Sequence, residues 1–215
     1  RIDYTQILSE AISPRSPHFL LNPSRDSPGY ITTATLPEHM RALVLAESSG
    51  TVNSGAETAI DYYQGNFLAV SQLIDGIKPY CDVETRIITD SNGLISGASN
   101  VSEEPEQSNE DALEAATSLL IESGSDFHVV VILLTTDVFR EVVAEHWDNI
   151  IEDVNEDAIW CLGTSRSGIS DCDIDILKED IRELFIYERV GVAPIDSDTR
   201  ESLLASVESR AKELQ

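Results

Sequence analysis

The sequence predicts a three-layer α/β domain with a mostly parallel sheet of about four strands, preceded by a proline-rich arm. Three observations lead there. Four short apolar runs, at residues 41–46, 83–89, 127–134 and 158–162, read as strands. Helix-period stretches separate them, so the connections are long crossovers of the kind that join parallel strands and lay helices on the sheet faces. The run at 127–134 is apolar on both faces, as a central strand must be.

Residues 1–40 are the extended arm. Pro14, Pro17, Pro23, Pro28 and Pro37 each remove a backbone donor and fix φ, so regular structure there can only be short. One short helix fits at residues 4–12. Phe19, Leu20, Leu21, Tyr30 and Ile31 are apolar side chains that a purely solvated tail would not need. They suit an arm that packs on the domain or on a partner.

The single α/β domain spans 41–215. Its first strand, Arg41-Ala42-Leu43-Val44-Leu45-Ala46, ends at Glu47-Ser48-Ser49-Gly50. A helix is expected from 56 to 77, because Ile60, Tyr63, Phe67, Val70, Ile74 and Ile77 make one apolar stripe. Gly65 lies inside it at a cost of about 1 kcal/mol against alanine. Pro79 ends the helix, and the second strand follows, closed by the turn Asp90-Ser91-Asn92-Gly93. Residues 96–110 carry Glu103, Glu104, Pro105 and Glu106 and are expected as a flexible acidic loop. Ser108 caps a helix with Leu113, Ala116 and Leu120 on its core face. After the third strand, a helix from about Asp137 uses Val138, Val142, Trp147, Ile150 and Val154. The fourth strand leads into a flexible loop at 163–168. A last helical region carries Ile176, Leu177, Ile181, Leu184 and Phe185. Asp198 with Glu201 forms a capping box for a terminal helix that buries Leu203, Leu204 and Val207.

Charge is the strongest compositional signal. The 215 residues hold 39 Asp and Glu against 14 Lys and Arg, a formal charge of -25, and only three of the bases are lysines. Such a charge repels itself in dilute buffer. At molar salt the screening length falls to about 3 Å and the repulsion fades. Dense carboxylates with scarce lysine read as haloarchaeal in style; the alternative is an acidic mesophilic protein whose acidic tract inflates the count. In the haloarchaeal setting an acidic surface neither argues for DNA or RNA nor excludes them, since high salt already weakens phosphate attraction. Cys81, Cys161 and Cys172 are too few and too scattered for a disulfide framework or a zinc site. The longest apolar run, 129–134, is too short to span a membrane. No secretory leader is visible, so the cytoplasm is the expected location.

In an open parallel sheet, ligands bind beyond the carboxyl ends of the strands. Those ends supply the candidate site. Glu47 and Asp90 are the candidate catalytic carboxylates, with Asp137 a third carboxylate on the same rim. Ser48, Ser49, Asn92 and the cation Arg166 are candidate ligand-binding groups, and Thr135 and Thr136 add hydroxyls. Tyr62 lies off the apolar stripe of its helix and can face a ligand. Turn residues of these types also occur at strand ends without any function. No phosphate-loop or dinucleotide signature is present, and no cofactor is expected. Asp171, Asp173 and Asp175 alternate like a calcium loop, but Ile176 and Arg182 stand where that loop needs Gly and Glu, so no metal is expected either.

Leu43-Val44-Leu45-Ala46-Glu47-Ser48-Ser49, Tyr63-Gln64-Gly65-Asn66-Phe67 and Ile87-Ile88-Thr89-Asp90-Ser91-Asn92-Gly93-Leu94-Ile95 follow in an order and spacing that resembles the peroxide-stress YaaA-type family. The related uncharacterised domain of archaeosine synthases shares the pattern. The likeness covers residues 41–95. Glu47 stands where that family carries a cysteine, and the lysine that follows there is missing here. The resemblance implies an α/β domain in nucleic-acid biology.

Three functions compete. The chain is a nucleic-acid-associated module, a degenerate member of a base-modification, DNA-processing or defence lineage that contacts DNA or RNA. Or it is a non-catalytic subunit that docks on a protein partner through residues 14–37. Or it is an enzyme acting on a small nucleoside or nucleotide, with Glu47 or Asp90 as acid or base.

Overall fold

The computed structural model describes residues 40–189 and 193–214. The chain divides into two units, Arg1–Thr35 and Leu36–Gln215. The expected arm therefore lies outside the described residues, apart from Met40.

In chain order the elements are β1 (Met40–Glu47), α1 (Ala59–Tyr62), α2 (Leu68–Ile77), β2 (Cys81–Thr89), β3 (Gly93–Ser96), α3 (Asn109–Ser123), β4 (Val129–Leu133), α4 (Thr136–Val142), α5 (Trp147–Ile151), β5 (Ile159–Thr164), α6 (Arg166–Ile169), α7 (Ile174–Asp180), β6 (Glu183–Glu188) and α8 (Ser197–Glu213). The sheet has six strands in the order β3-β2-β1-β4-β5-β6. Only β3 is antiparallel. The five parallel strands thus follow the doubly wound order 2-1-3-4-5, whose winding reverses between β1 and β4.

Side-chain alternation makes the three layers. Met40, Ala42, Val44 and Ala46 of β1, with Val129, Val131 and Leu133 of β4, face α2 and α8. Leu43, Leu45, Val130 and Ile132 face α3, α4, α5 and α7. Both strands are therefore buried on both faces, and Val129–Leu133 has no exposed residue. Among the described residues, no helix is long and apolar enough to cross a membrane.

The α/β class and the mostly parallel sheet are as the sequence predicts; the strand count is not. Two strands were hidden. The turn at 90–92 does not leave the sheet but folds Gly93–Ser96 back onto β2 as β3, with Gly93 at φ 74°. That positive φ is available to glycine without strain. The expected last helical region splits, and its second half, with Leu184 and Phe185, is the edge strand β6.

The expected 56–77 helix is broken in two. Asn53 N–H takes the Tyr62 carbonyl at 2.7 Å, and Gln64 N–H donates to the Thr51 carbonyl at 2.8 Å. Those groups are no longer free for a continuous helix. Tyr63 is extended and Gly65 sits at φ 64°, so the chain turns before α2 begins. Gly163 and Thr164 belong to β5, and Arg166–Ile169 is a helical turn, so the expected loop at 163–168 is mostly regular structure. The cap of α8 is Asp196, which accepts from Thr199 N–H at 2.7 Å, and not Asp198, which lies in the first turn. Residues 96–110 carry a 3-10 turn at Val101–Glu103 capped by Asn100, and Gln107 bridges to Asn92. Ser108 caps α3 as expected, accepting from Asp111 N–H at 3.1 Å.

Gly163 marks a close approach near the carboxyl end of the sheet. A Cβ there would lie 2.6 Å from Leu133 Cδ2 and 2.9 Å from the Pro194 carbonyl oxygen. The second neighbour is backbone and cannot rotate away. Gly163→Ala is expected to lower stability by about 1–3 kcal/mol. A thermal melt in molar KCl checks it, and an unchanged melting temperature refutes the close approach.

Candidate functional site

The carboxyl ends of β1 and β4 diverge at the winding reversal, and the residues there build a small crevice. Its volume is about 200 Å³. Glu47, Ser48 and Asn66 line it from one side, Thr135, Arg189 and Pro194 from the other.

Glu47 is the centre of this crevice, but its carboxylate is already engaged. One oxygen accepts from the Thr135 backbone N–H. The other accepts from the Thr135 hydroxyl at 3.0 Å. Thr135 is the residue before α4, and its hydroxyl makes no cap bond to that helix because it turns to Glu47 instead. The carboxylate thus satisfies an amide at the positive end of α4 and ties the two central strands together beyond their ladder.

Ser48 N–H extends the β1–β2 ladder to the Ile88 carbonyl at 2.8 Å. The Ser49 hydroxyl lies 2.6 Å from the Gln64 carbonyl and 3.0 Å from that of Thr51, which fixes the chain where the first helix breaks. Both serines reach the crevice, and Ser49 does so with its hydroxyl committed.

The remaining sequence candidates do not converge on this place. Asp90 is exposed in the β2–β3 turn. Asn92 secures the 101–107 connection, donating from Nδ2 to the Glu104 carbonyl at 3.1 Å. Tyr62 packs edge-on against Tyr63 at 5.2 Å and is half-buried in the α2-side core. Arg166 follows β5, with 86% of its side chain exposed and its Nε 3.8 Å from Glu188. Beside it the Ser165 hydroxyl accepts from Thr136 Oγ1 at 2.7 Å and from Gly168 N–H at 3.2 Å. The sheet order puts Asn92 and Arg166 on opposite sides of β1, so they do not share one groove with Tyr62.

Asn66 and Arg189 are crevice residues that the sequence reading missed. Arg189 was hidden because β6 was read as helix, so no fifth carboxyl end was expected. The run Leu184-Phe185-Ile186-Tyr187 between two glutamates was the available strand signal.

A larger cavity, about 710 Å³, lies elsewhere, along the first half of β2 where β3 does not reach. It is an open groove whose charges are paired locally, Lys78 with Asp75 at 3.0 Å and Arg41 with Glu84 at 3.8 Å. Thr85, 6% exposed, is a buried polar residue on its wall. The crevice at the strand ends is the better candidate on position, although it is smaller than the roughly 300 Å³ at which ligand pockets usually begin.

Thiol chemistry has no support. Burial pushes Cys81, Cys161 and Cys172 up to about 12. A protonated, buried thiol is a poor nucleophile. Among the described residues no three His, Cys, Asp or Glu side chains cluster as metal ligands. Asp171 of the alternating aspartates instead holds Arg140 at 2.7 Å.

Two outcomes are expected. Glu47→Ala removes both acceptors and leaves the Thr135 N–H without its partner, so it should cost about 1–3 kcal/mol; Thr135→Val loses only the hydroxyl and should cost less. Equal melting temperatures for Glu47→Ala and the parent would remove the carboxylate from this role. The thiols also set a pH limit. The folded state keeps protons that the unfolded chain loses above its ordinary thiol value of 9.0, so their contribution is complete below pH 9 and declines as pH rises toward 12. Melting temperatures across that window should fall less steeply when Cys161 is replaced by Ala than in the parent.

No family model matches the chain, and no curated protein does. Among solved structures, the crystal structure of an azoreductase from Bacillus anthracis str. Sterne is similar at a TM-score of 0.32 and 9% identity, over 81% of this chain and 99% of that one.

Proposed function

We propose that the chain acts as a non-catalytic subunit that binds a protein partner through its N-terminal arm. The carrying observation is the engagement of Glu47. A general acid or base needs a carboxylate free to reach substrate. This one is closed onto both Thr135 donors in a crevice of about 200 Å³.

The charge distribution supports the same reading. The first 35 residues hold three arginines and three carboxylates, so the whole net charge of -25 belongs to Leu36–Gln215. The balanced segment before it carries the apolar Phe19, Leu20 and Leu21, which suit a protein partner.

Association with DNA or RNA is the second reading, favoured by Arg166. Its side chain is the most exposed of the ion-paired cations, and three hydroxyls of Thr136, Ser165 and Ser167 lie beside it. The resemblance of residues 41–95 to the YaaA-type family points the same way.

The test compares two measurements on the full chain in molar KCl. Fluorescence anisotropy with labelled single- and double-stranded DNA and RNA is expected to show no saturable binding. Pull-down from the source cell is expected to yield one stoichiometric partner, lost when Phe19, Leu20 and Leu21 are all replaced by Ser while the melting curve of the body is unchanged. Saturable nucleic-acid binding that weakens in Arg166→Ala would overturn the subunit reading in favour of the second.

A further inference from the structure

Strand β2 is an edge strand along its first half only. Ser48 N–H reaches the Ile88 carbonyl at 2.8 Å, and the Thr85 carbonyl accepts from Gly97 N–H at 2.9 Å. Even-numbered residues of β2 therefore turn their N–H and C=O groups to β1, and odd-numbered residues turn theirs outward. The strand β3 pairs with residues 86–89 alone, and the chain leaves the ladder after Gly97. The outward groups of Val83, and of Cys81 beyond it, have no strand opposite them among the described residues. They open on the groove of about 710 Å³.

Two unlike walls flank this edge. Asp82 and Glu84 stand on one face of β2, and Val83 and Thr85 stand on the other, beside Ile60 of α1. Arg86 holds Glu84 at 2.7 Å, while Asp126 holds Arg41 at 3.3 Å over the Phe127 ring. Asp82 is exposed and makes no ion pair or hydrogen bond among the described residues. A separate observation is the Thr85 hydroxyl. The residue is 6% exposed, yet among the described residues that hydroxyl has no hydrogen-bond partner. Buried polar groups are ordinarily paired, so an idle hydroxyl on the wall of an open groove marks a place for a polar atom of a ligand.

We propose that this groove binds a basic extended segment of a partner protein, which adds to β2 as a short antiparallel strand in line with β3. The uncovered residues 81–84 take about four residues of such a segment, roughly 13 Å of extended chain. Side chains opposite one another in an antiparallel pair share a face. Residues opposite Asp82 and Glu84 therefore stand beside the carboxylates, and the residue opposite Val83 stands beside Ile60. The segment that fits alternates basic and small apolar side chains. Edge carboxylates keep neutral and acidic strands away, and a strand that brings its own cations neutralises them. A second copy of this chain is a poor occupant, because it brings a charge of -25. The inference stands apart from the arm-docking reading and uses no residue of the arm.

The test is fluorescence anisotropy on the full chain, at the lowest KCl concentration at which the fold persists. A labelled hexapeptide alternating lysine and valine is expected to bind saturably. A block peptide of three lysines and three valines has the same charge and should bind roughly tenfold more weakly, as should a peptide alternating glutamate and valine. Asp82→Lys should weaken the alternating peptide roughly tenfold without shifting the melting curve, whereas Glu179→Lys on α7 makes the same change of net charge and should leave its affinity unchanged. If Asp82→Lys fails to fold, N-methylation of the valines decides, since it removes the donors that face Val83 and leaves the peptide charge intact; binding should then be lost. Equal affinity for the alternating and block peptides overturns the proposal. So does an Asp82→Lys variant that binds like the parent, or no binding of the alternating peptide at all. Replacing Phe19, Leu20 and Leu21 with Ser should leave peptide binding intact; its loss would take the site away from β2.

Discussion

Strand β1 has no free side, and the rest of the domain is arranged around that constraint. β2 and β4 occupy its two edges, and core residues cover both of its faces. A strand in that position can offer chemistry only at its end. Its last residue, Glu47, is also where the winding of the fold reverses. The two Thr135 bonds therefore act where the β1 and β4 backbones separate, replacing the ladder that can no longer join them. Holding that fork shut has a functional side: the position at which this architecture usually admits a ligand is closed by the protein's own groups.

What the sequence made legible were features of regular period. The buried pattern of β1 and β4, the stripe of α3 and the Ser108 cap follow from spacing alone. What stayed hidden was settled by tertiary partners. The stripe from Ile60 to Ile77 is consistent with one helix, yet residues 51–53 claim the backbone of Tyr62 and Gln64 and break it. Leu184 and Phe185 fit a helical register with Ile181, but β5 offers a free edge, and an aromatic and branched run is better placed there. In β3, Leu94 and Ile95 were too few to read as a strand without the β2 edge that holds them.

The candidate site was legible in position and not in state. Reading the strand ends placed Glu47, Ser48 and Ser49 at the carboxyl end of β1, where all three line the crevice. Nothing in the linear order could show that Thr135, 88 residues away, saturates the carboxylate. Asn92 illustrates the same limit: a polar residue in a turn looks available until the chain returning at Glu104 takes its amide. Polar residues at strand ends are shared between binding and construction, and here construction uses most of them.

The edge formed by β3 and the first half of β2 also bears on how this protein stays dispersed when crowded. A strand edge that can add to any other edge supports open-ended growth. Here a four-residue strand covers part of that border, and Asp82 and Glu84 charge the rest, so an approaching strand would have to bury carboxylates to extend the sheet on this side.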